Sequence, residues 1–117
     1  MKEHQLRDRT KAFALRIIKA YCSLPKSTEA QVLGKQLLRA GTGVAANYRE
    51  ACRARSDAEL ISELGVVEQE LDETLLWLEL LVESGIVPET KLMSLRQEAD
   101  ELLRMTITAI KTTKSRL

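Results

Sequence analysis

Apolar and small residues recur every three or four positions through four successive stretches of this chain, and that spacing fits the amphipathic α-helix. Leu6, Thr10, Phe13, Ile17, Ala20 and Leu24 form the first stripe, and Leu33, Leu37, Ala40, Val44, Tyr48 and Ala51 the second. Leu60, Leu64, Val67, Leu71, Thr74, Leu78 and Leu81 form the third; Leu92, Leu95, Ala99, Leu102, Thr106 and Ala109 or Ile110 form the fourth. Each stripe has its punctuation. Pro25 ends the first, Thr28 with Gln31 reads as a capping box, and Ser56-Asp57-Ala58-Glu59 reads as another. Gly85 followed by Ile86 has the pattern of a glycine C-cap, and Pro88 suits a first helical position. The expected helices cover 5–24, 29–54, 57–84 and 88–113. A chain of 117 residues that is 44% hydrophobic but only 3% aromatic, with two prolines, lacks the signature of small β folds. Short links between long helices force antiparallel neighbours. The expectation is all-α: an antiparallel up-down-up-down four-helix bundle forming one domain over residues 1–117.

The net charge of +1 conceals a polarity. Residues 1–55 carry twelve basic and four acidic side chains, +8, whereas residues 56–117 carry six and thirteen, −7. That balance argues against a uniformly basic nucleic-acid binder. Cys22 and Cys52 fall in helical patterns without CxxC spacing, so buried, reduced thiols are expected. The charged start has no apolar leader core, and no apolar run reaches the ~20 residues of a membrane span. A cytoplasmic location is expected.

Several faces carry more than core. Lys35, Arg39, Arg49 and Arg53, with Ala46 among them, fall within about 40° of one direction on the second helix, opposite its stripe. They form a solvated face or a row that tracks a nucleic-acid backbone. Phe13, Tyr21, Tyr48 and Trp77 are the only aromatics and mostly point to the core, so base-stacking platforms are lacking. Gly34, Gly41, Ala45 and Cys52 on a flank would admit a neighbouring helix closely, and Gly41-Thr42-Gly43 without a preceding strand reads as packing rather than a phosphate loop. The third helix holds nine acids and no base between Ser56 and Ser84. Its end, Leu75 to Val82, leaves only Glu79 polar, so Leu76, Trp77 and Leu80 are candidates for a subunit interface. Glu63 and Glu70 border the core stripe and need partners, for which Asn47, Arg53 and Arg55 are candidates; the expectation is a structural network rather than an acid/base pair. No metal, cofactor or catalytic site is expected. The sole histidine, His4, stands at the start, with no Glu-x-x-His pair, and no Cys or Ser stands beside a general base.

The segments Leu33-Gly34-Lys35-Gln36-Leu37-Leu38-Arg39-Ala40 through Asn47-Tyr48-Arg49-Glu50-Ala51, then Arg53-Ala54-Arg55-Ser56, and Glu70-Leu71-Asp72-Glu73-Thr74-Leu75-Leu76-Trp77-Leu78-Glu79-Leu80-Leu81 resemble the bacterial four-helix bundle family, also called the large-subunit ribosomal RNA intervening-sequence proteins. The resemblance covers roughly residues 5–110. It implies a cytosolic, non-enzymatic bundle that assembles as a ring, usually a homopentamer. It is similar also to the accessory variability determinant of diversity-generating retroelements, which works with a reverse transcriptase and nucleic acid. The positions that match are Asn47, Arg49, Glu50, Arg53, Arg55, Trp77 and Glu79, and the resemblance transfers no catalytic residue. Two readings follow: an oligomeric scaffold that binds RNA or DNA through the basic stripe, or a structural or adaptor oligomer with a protein partner, its stripe matching a neighbour's acidic third helix.

Overall fold

The computed structural model describes residues 2–117, with side chains from Gln5 onward. Its four helices are α1 (Lys2–Cys22), α2 (Thr28–Ala51), α3 (Asp57–Glu83) and α4 (Glu89–Lys114). Each consecutive pair packs side by side, and α1 closes on α4 through the least contact of the four neighbouring pairs. The result is an antiparallel four-helix bundle about 48 Å long and 20 Å across. His4, the lone histidine, lies outside the described side chains.

The expected stripes are the core. Phe13, Ile17, Leu37, Val44, Val67, Leu71, Leu78, Leu81 and Leu102 are buried. Only Ala20, Leu33, Leu60, Ala109 and Ile110, at stripe ends, stay half-buried. Burying threonine here is tolerable because each hydroxyl has a local acceptor. Thr74 Oγ1 donates to the Glu70 carbonyl at 2.7 Å, Thr106 to Leu102 at 2.8 Å and Thr113 to Ala109 at 2.8 Å.

Helix ends differ from expectation by small shifts with clear causes. Ser27, not Thr28, caps α2, accepting from the Ala30 amide at 3.3 Å, while the Gln31 amide turns back to donate to the Pro25 carbonyl at 2.8 Å. The expected extension of α2 to 54 stops at Ala51, since residues 52–56 must make the turn into α3. Ser56 accepts from the Glu59 amide at 3.1 Å as a capping box requires, but the Glu59 carboxylate reaches past Ser56 to the Arg55 amide at 2.6 Å. The bond from the Arg55 amide, and after it the one from the Arg55 guanidinium, hold the Glu59 carboxyl below the usual carboxylate range. Pro88 is the cap of α4 rather than its first residue. At the end of α3, Gly85 adopts φ +81°, where glycine costs least, and the Gly85 and Ile86 amides bond to Val82 at 3.0 Å and Leu81 at 3.1 Å.

The glycines of α2 set how closely the helices approach. A Cβ on Gly34 would meet Leu24 and Tyr21, and one on Gly41 would meet Ile17 at 2.6 Å, so both let α1 lie tight against α2. Gly43 does the same for α3, where a Cβ would meet the Glu70 carboxylate at 2.7 Å. Gly41-Thr42-Gly43 is continuous helix. The expectation of two buried thiols does not hold: Cys22 is exposed and Cys52 half-buried. Cys22 lies about 140° around α1 from Ile17, on the outer surface. The two are at opposite ends of the bundle, beyond disulfide reach.

Candidate functional site

On α2 the sequence spacing holds for Lys35, Arg39 and Arg49, whereas Arg53 lies beyond the helix end at Ala51, in the turn into α3, where helical spacing no longer fixes its direction. Lys35, Arg39, Arg49 and Arg53 are all exposed. Arg39 bonds to Gln36 at 3.2 Å and reaches Glu73 of α3 only at 3.5 Å. Among the described residues no ion pair engages Lys35, Arg49 or Arg53. Several arginines elsewhere are held by acids, Arg9 by Glu98 and Glu101, Arg96 by Glu79, Arg104 by Asp100 and Arg116 by Asp57, whereas Arg16 bonds to Ser94 and Arg7 is in no ion pair among the described residues. Lys35 and Arg49 on one helix face, and Arg53 just beyond its end, are thus left without an acidic partner among the described residues.

Beside the stripe, α3 presents Glu63, Glu70 and Trp77, seven residues apart and therefore on one line. Glu70 is seated against Gly43, and its carboxylate accepts from Asn47 Nδ2 at 3.4 Å while the same amide donates to the Gly43 carbonyl at 2.8 Å. Burial pushes the Glu70 carboxyl above its ordinary pKa, Glu73 adds to the shift and Arg39 opposes it. Of the proposed polar network the structure brings together only Asn47 and Glu70. Arg55 turns to Glu59 at 3.4 Å, Glu50 is exposed, and Glu63 Oε1 is buried with no hydrogen-bond partner among the described residues. Trp77 packs half-buried against the core, and its indole Nε1 is likewise buried without an acceptor.

Of the three candidate interface residues, Leu76 is exposed while Trp77 and Leu80 are half-buried. The structure adds exposed apolar residues that stripe counting passes over: Leu15, Ile18, Val32, Val66 and Met93. Their signal in the sequence was their position outside the stripes. A groove of about 380 Å³ runs between α3 and α4, lined by Leu75, Val82 and Met93 among acids and Arg96. A larger one of about 950 Å³ opens at one end of the bundle, between the α2–α3 turn and the last turns of α4, with Leu6, Tyr48, Leu64 and Met105 in its lining. Among the described residues no cluster of His, Cys, Asp and Glu could hold a metal ion, and no helix is long and apolar enough to cross a membrane.

Comparison with known proteins shows what the chain as a whole is similar to. The profile of the 23S rRNA-intervening sequence protein family matches residues 2–108. A crystal structure from Bacteroides thetaiotaomicron, described as a protein of unknown function from the S23 ribosomal protein family, is 35% identical in sequence. It superposes with a TM-score of 0.88 over 95% of this chain and 99% of its own. No curated protein matches. Neither description names a catalytic activity.

Proposed function

The chain belongs to the 23S rRNA-intervening sequence protein family, and on that premise we propose that it is a non-enzymatic scaffold that works as an assembly of identical copies. The observation that carries this is the set of large apolar side chains left in water: Leu15 at 59% exposure, Leu76 at 46%, Met93 at 44% and Ile18 at 41%. Large apolar side chains exposed on α1 and at the α3/α4 seam support a contact with another macromolecule. A closed ring of five is the assembly that family resemblance implies, with residues 1–117 as one domain of each copy. A cytoplasmic location is part of this reading and rests on the family resemblance. Light scattering coupled to size exclusion at micromolar concentration tests the proposal. A multiple of 13.2 kDa is expected, and a clean monomer overturns it.

A second reading, RNA or DNA binding, is favoured by the unpaired state of Lys35, Arg49 and Arg53. Without stacking platforms such binding is directed at the backbone, weak in sequence preference and steep in salt. Each phosphate contact contributes a slope of about −0.9 for duplex DNA in log K against log salt. Arg49→Gln with Arg53→Gln then lowers the slope by about one to two units. Absence of binding by the unaltered protein in low salt eliminates this reading and leaves the scaffold.

A further inference from the structure

A close-packed core needs large side chains arriving from every helix, and at one end of the bundle they run short. The last turns of α4 bring Met105, Ala109 and Thr113, where its earlier turns bury Leu92, Leu95 and Leu102. The end of α2 and its turn into α3 bring only Ala51, Cys52 and Ala54. Leu6, Tyr48, Leu60 and Leu64 face these small residues without meeting them, and the shortfall is the cavity of about 950 Å³. It accounts for two departures from the stripes: Leu60 and Ala109, core positions by their spacing, stay half-buried because they border this space.

Five charged residues complete the lining, and each is paired within the chain. Arg116 holds Asp57 at 3.2 Å and Arg55 holds Glu59 at 3.4 Å, while Arg104 is bonded to Asp100 and Glu101 to Arg9. The cations of this end that are in no ion pair among the described residues, Arg7, Arg49, Arg53, Lys111 and Lys114, stand outside the lining, as do the acids Asp8, Glu50 and Glu63. A charged ligand would therefore find no free counter-charge in the cavity, and burying an unanswered charge is costly. None of the large apolar side chains exposed on the surface lines the cavity, so it does not run on into an apolar face that a protein partner would cover. An apolar interior of this volume behind a polar rim has the form of a small-molecule site. Thr108 and Thr112 line it too, with hydroxyls in no side-chain hydrogen bond among the described residues, and a hydroxyl can both donate to and accept from a neutral polar group.

We propose that this cavity binds an uncharged, largely apolar small molecule carrying a neutral polar group, one per chain. The site is separate from the scaffold and nucleic-acid readings and stands or falls without them.

The probe is N-phenylnaphthylamine, an uncharged aromatic amine whose emission rises on leaving water; anilinonaphthalene sulfonate carries the same rings with a negative charge. Titration of the unaltered protein is expected to show saturable binding of the amine at one per chain, and binding of the sulfonate weaker by about tenfold or more. Ala109→Leu and Ala54→Leu fill the space from α4 and from the α2–α3 turn. Each is expected to weaken amine binding by about tenfold or more, with helical content unchanged by circular dichroism. Should one of them lose its fold, the other carries the comparison. Met93→Ser, in the groove between α3 and α4, is expected to leave amine binding as it is. Absence of saturable binding, or filling variants that bind as the unaltered protein does, overturns the site. A sulfonate bound as tightly as the amine overturns the assignment of an uncharged ligand. An amine that splits an assembly into monomers as it binds gives the cavity to a neighbouring copy, and overturns the proposal as well.

Discussion

A methyl group at position 41 has nowhere to go: it would stand 2.6 and 2.7 Å from the two γ carbons of Ile17 and 3.0 Å from its Cβ. Ile17 is fully buried and β-branched, so it cannot swing aside. Gly41→Ala is therefore expected to lose about 1–3 kcal/mol, against the usual gain of removing glycine from a helix. Gly65, on α3, has nothing within 4 Å of its would-be Cβ, so Gly65→Ala is expected to gain about 0.5–1 kcal/mol. Urea melts of the pair read the contrast directly, and equal effects would show that α1 does not press on α2 at Gly41. Glu70 offers a second test at this scale. Its carboxyl is raised first by burial, then by Glu73, so the folded protein holds the proton more tightly than the unfolded chain does. The sign follows: any stability from this site is present below the ordinary glutamate range and is lost as pH rises through the raised value. Glu70→Gln keeps an acceptor for Asn47 and is expected to stabilise at pH 7 but not near pH 3. A variant less stable than the parent at pH 7 would mean that the ionised carboxylate is needed there.

At the scale of the helix, most of the fold was legible because threes and fours in the sequence become a buried stripe whatever the neighbours are. Ends were less legible. Arg53-Ala54-Arg55 continues the pattern of α2 without a glycine or proline to break it, yet the turn into α3 takes residues 52–56. The boundary is set by the next helix, whose cap at Ser56 had the stronger signal. Ser56→Ala removes the acceptor of the Glu59 amide and is expected to cost about 1 kcal/mol, measured as a lower urea midpoint with an unchanged slope. A change below a few tenths would show that the Glu59 bond to the Arg55 amide holds this end alone. The polar and interface candidates were legible only in part for the same reason. Asn47 and Glu70 meet because Gly43 clears the space between them; Arg55 takes Glu59, four residues on, a pairing the local spacing offered, whereas nothing local told that Glu63 Oε1 would have no hydrogen-bond partner among the described residues. The clamp of Arg9 on Glu98 joins residues 89 apart, which no short-range pattern encodes.

For the molecule as a whole, sequence spacing could not tell which apolar residues off the stripes remain uncovered, since that depends on which helices become neighbours. Leu76 stays in water while Leu80, one turn on, is half-buried. Charge placement predicts how the proposed assembly responds to its medium. Attraction between the basic stripe of one copy and the acidic third helix of another would be screened over a Debye length of about 10 Å at 0.1 M salt and about 3 Å at 1 M. The mean mass in light scattering is therefore expected to fall when salt rises to 1 M, while circular dichroism stays constant. A mass that rises with salt would mean that apolar contact alone drives association and that the charges oppose it. With a net charge of only +1, moreover, the bundle has almost no monopole and a large dipole across its short axis. A body of that kind turns before it is drawn: beside a charged surface it is oriented by the sign of what it approaches, α1 and α2 toward anions and α3 and α4 toward cations.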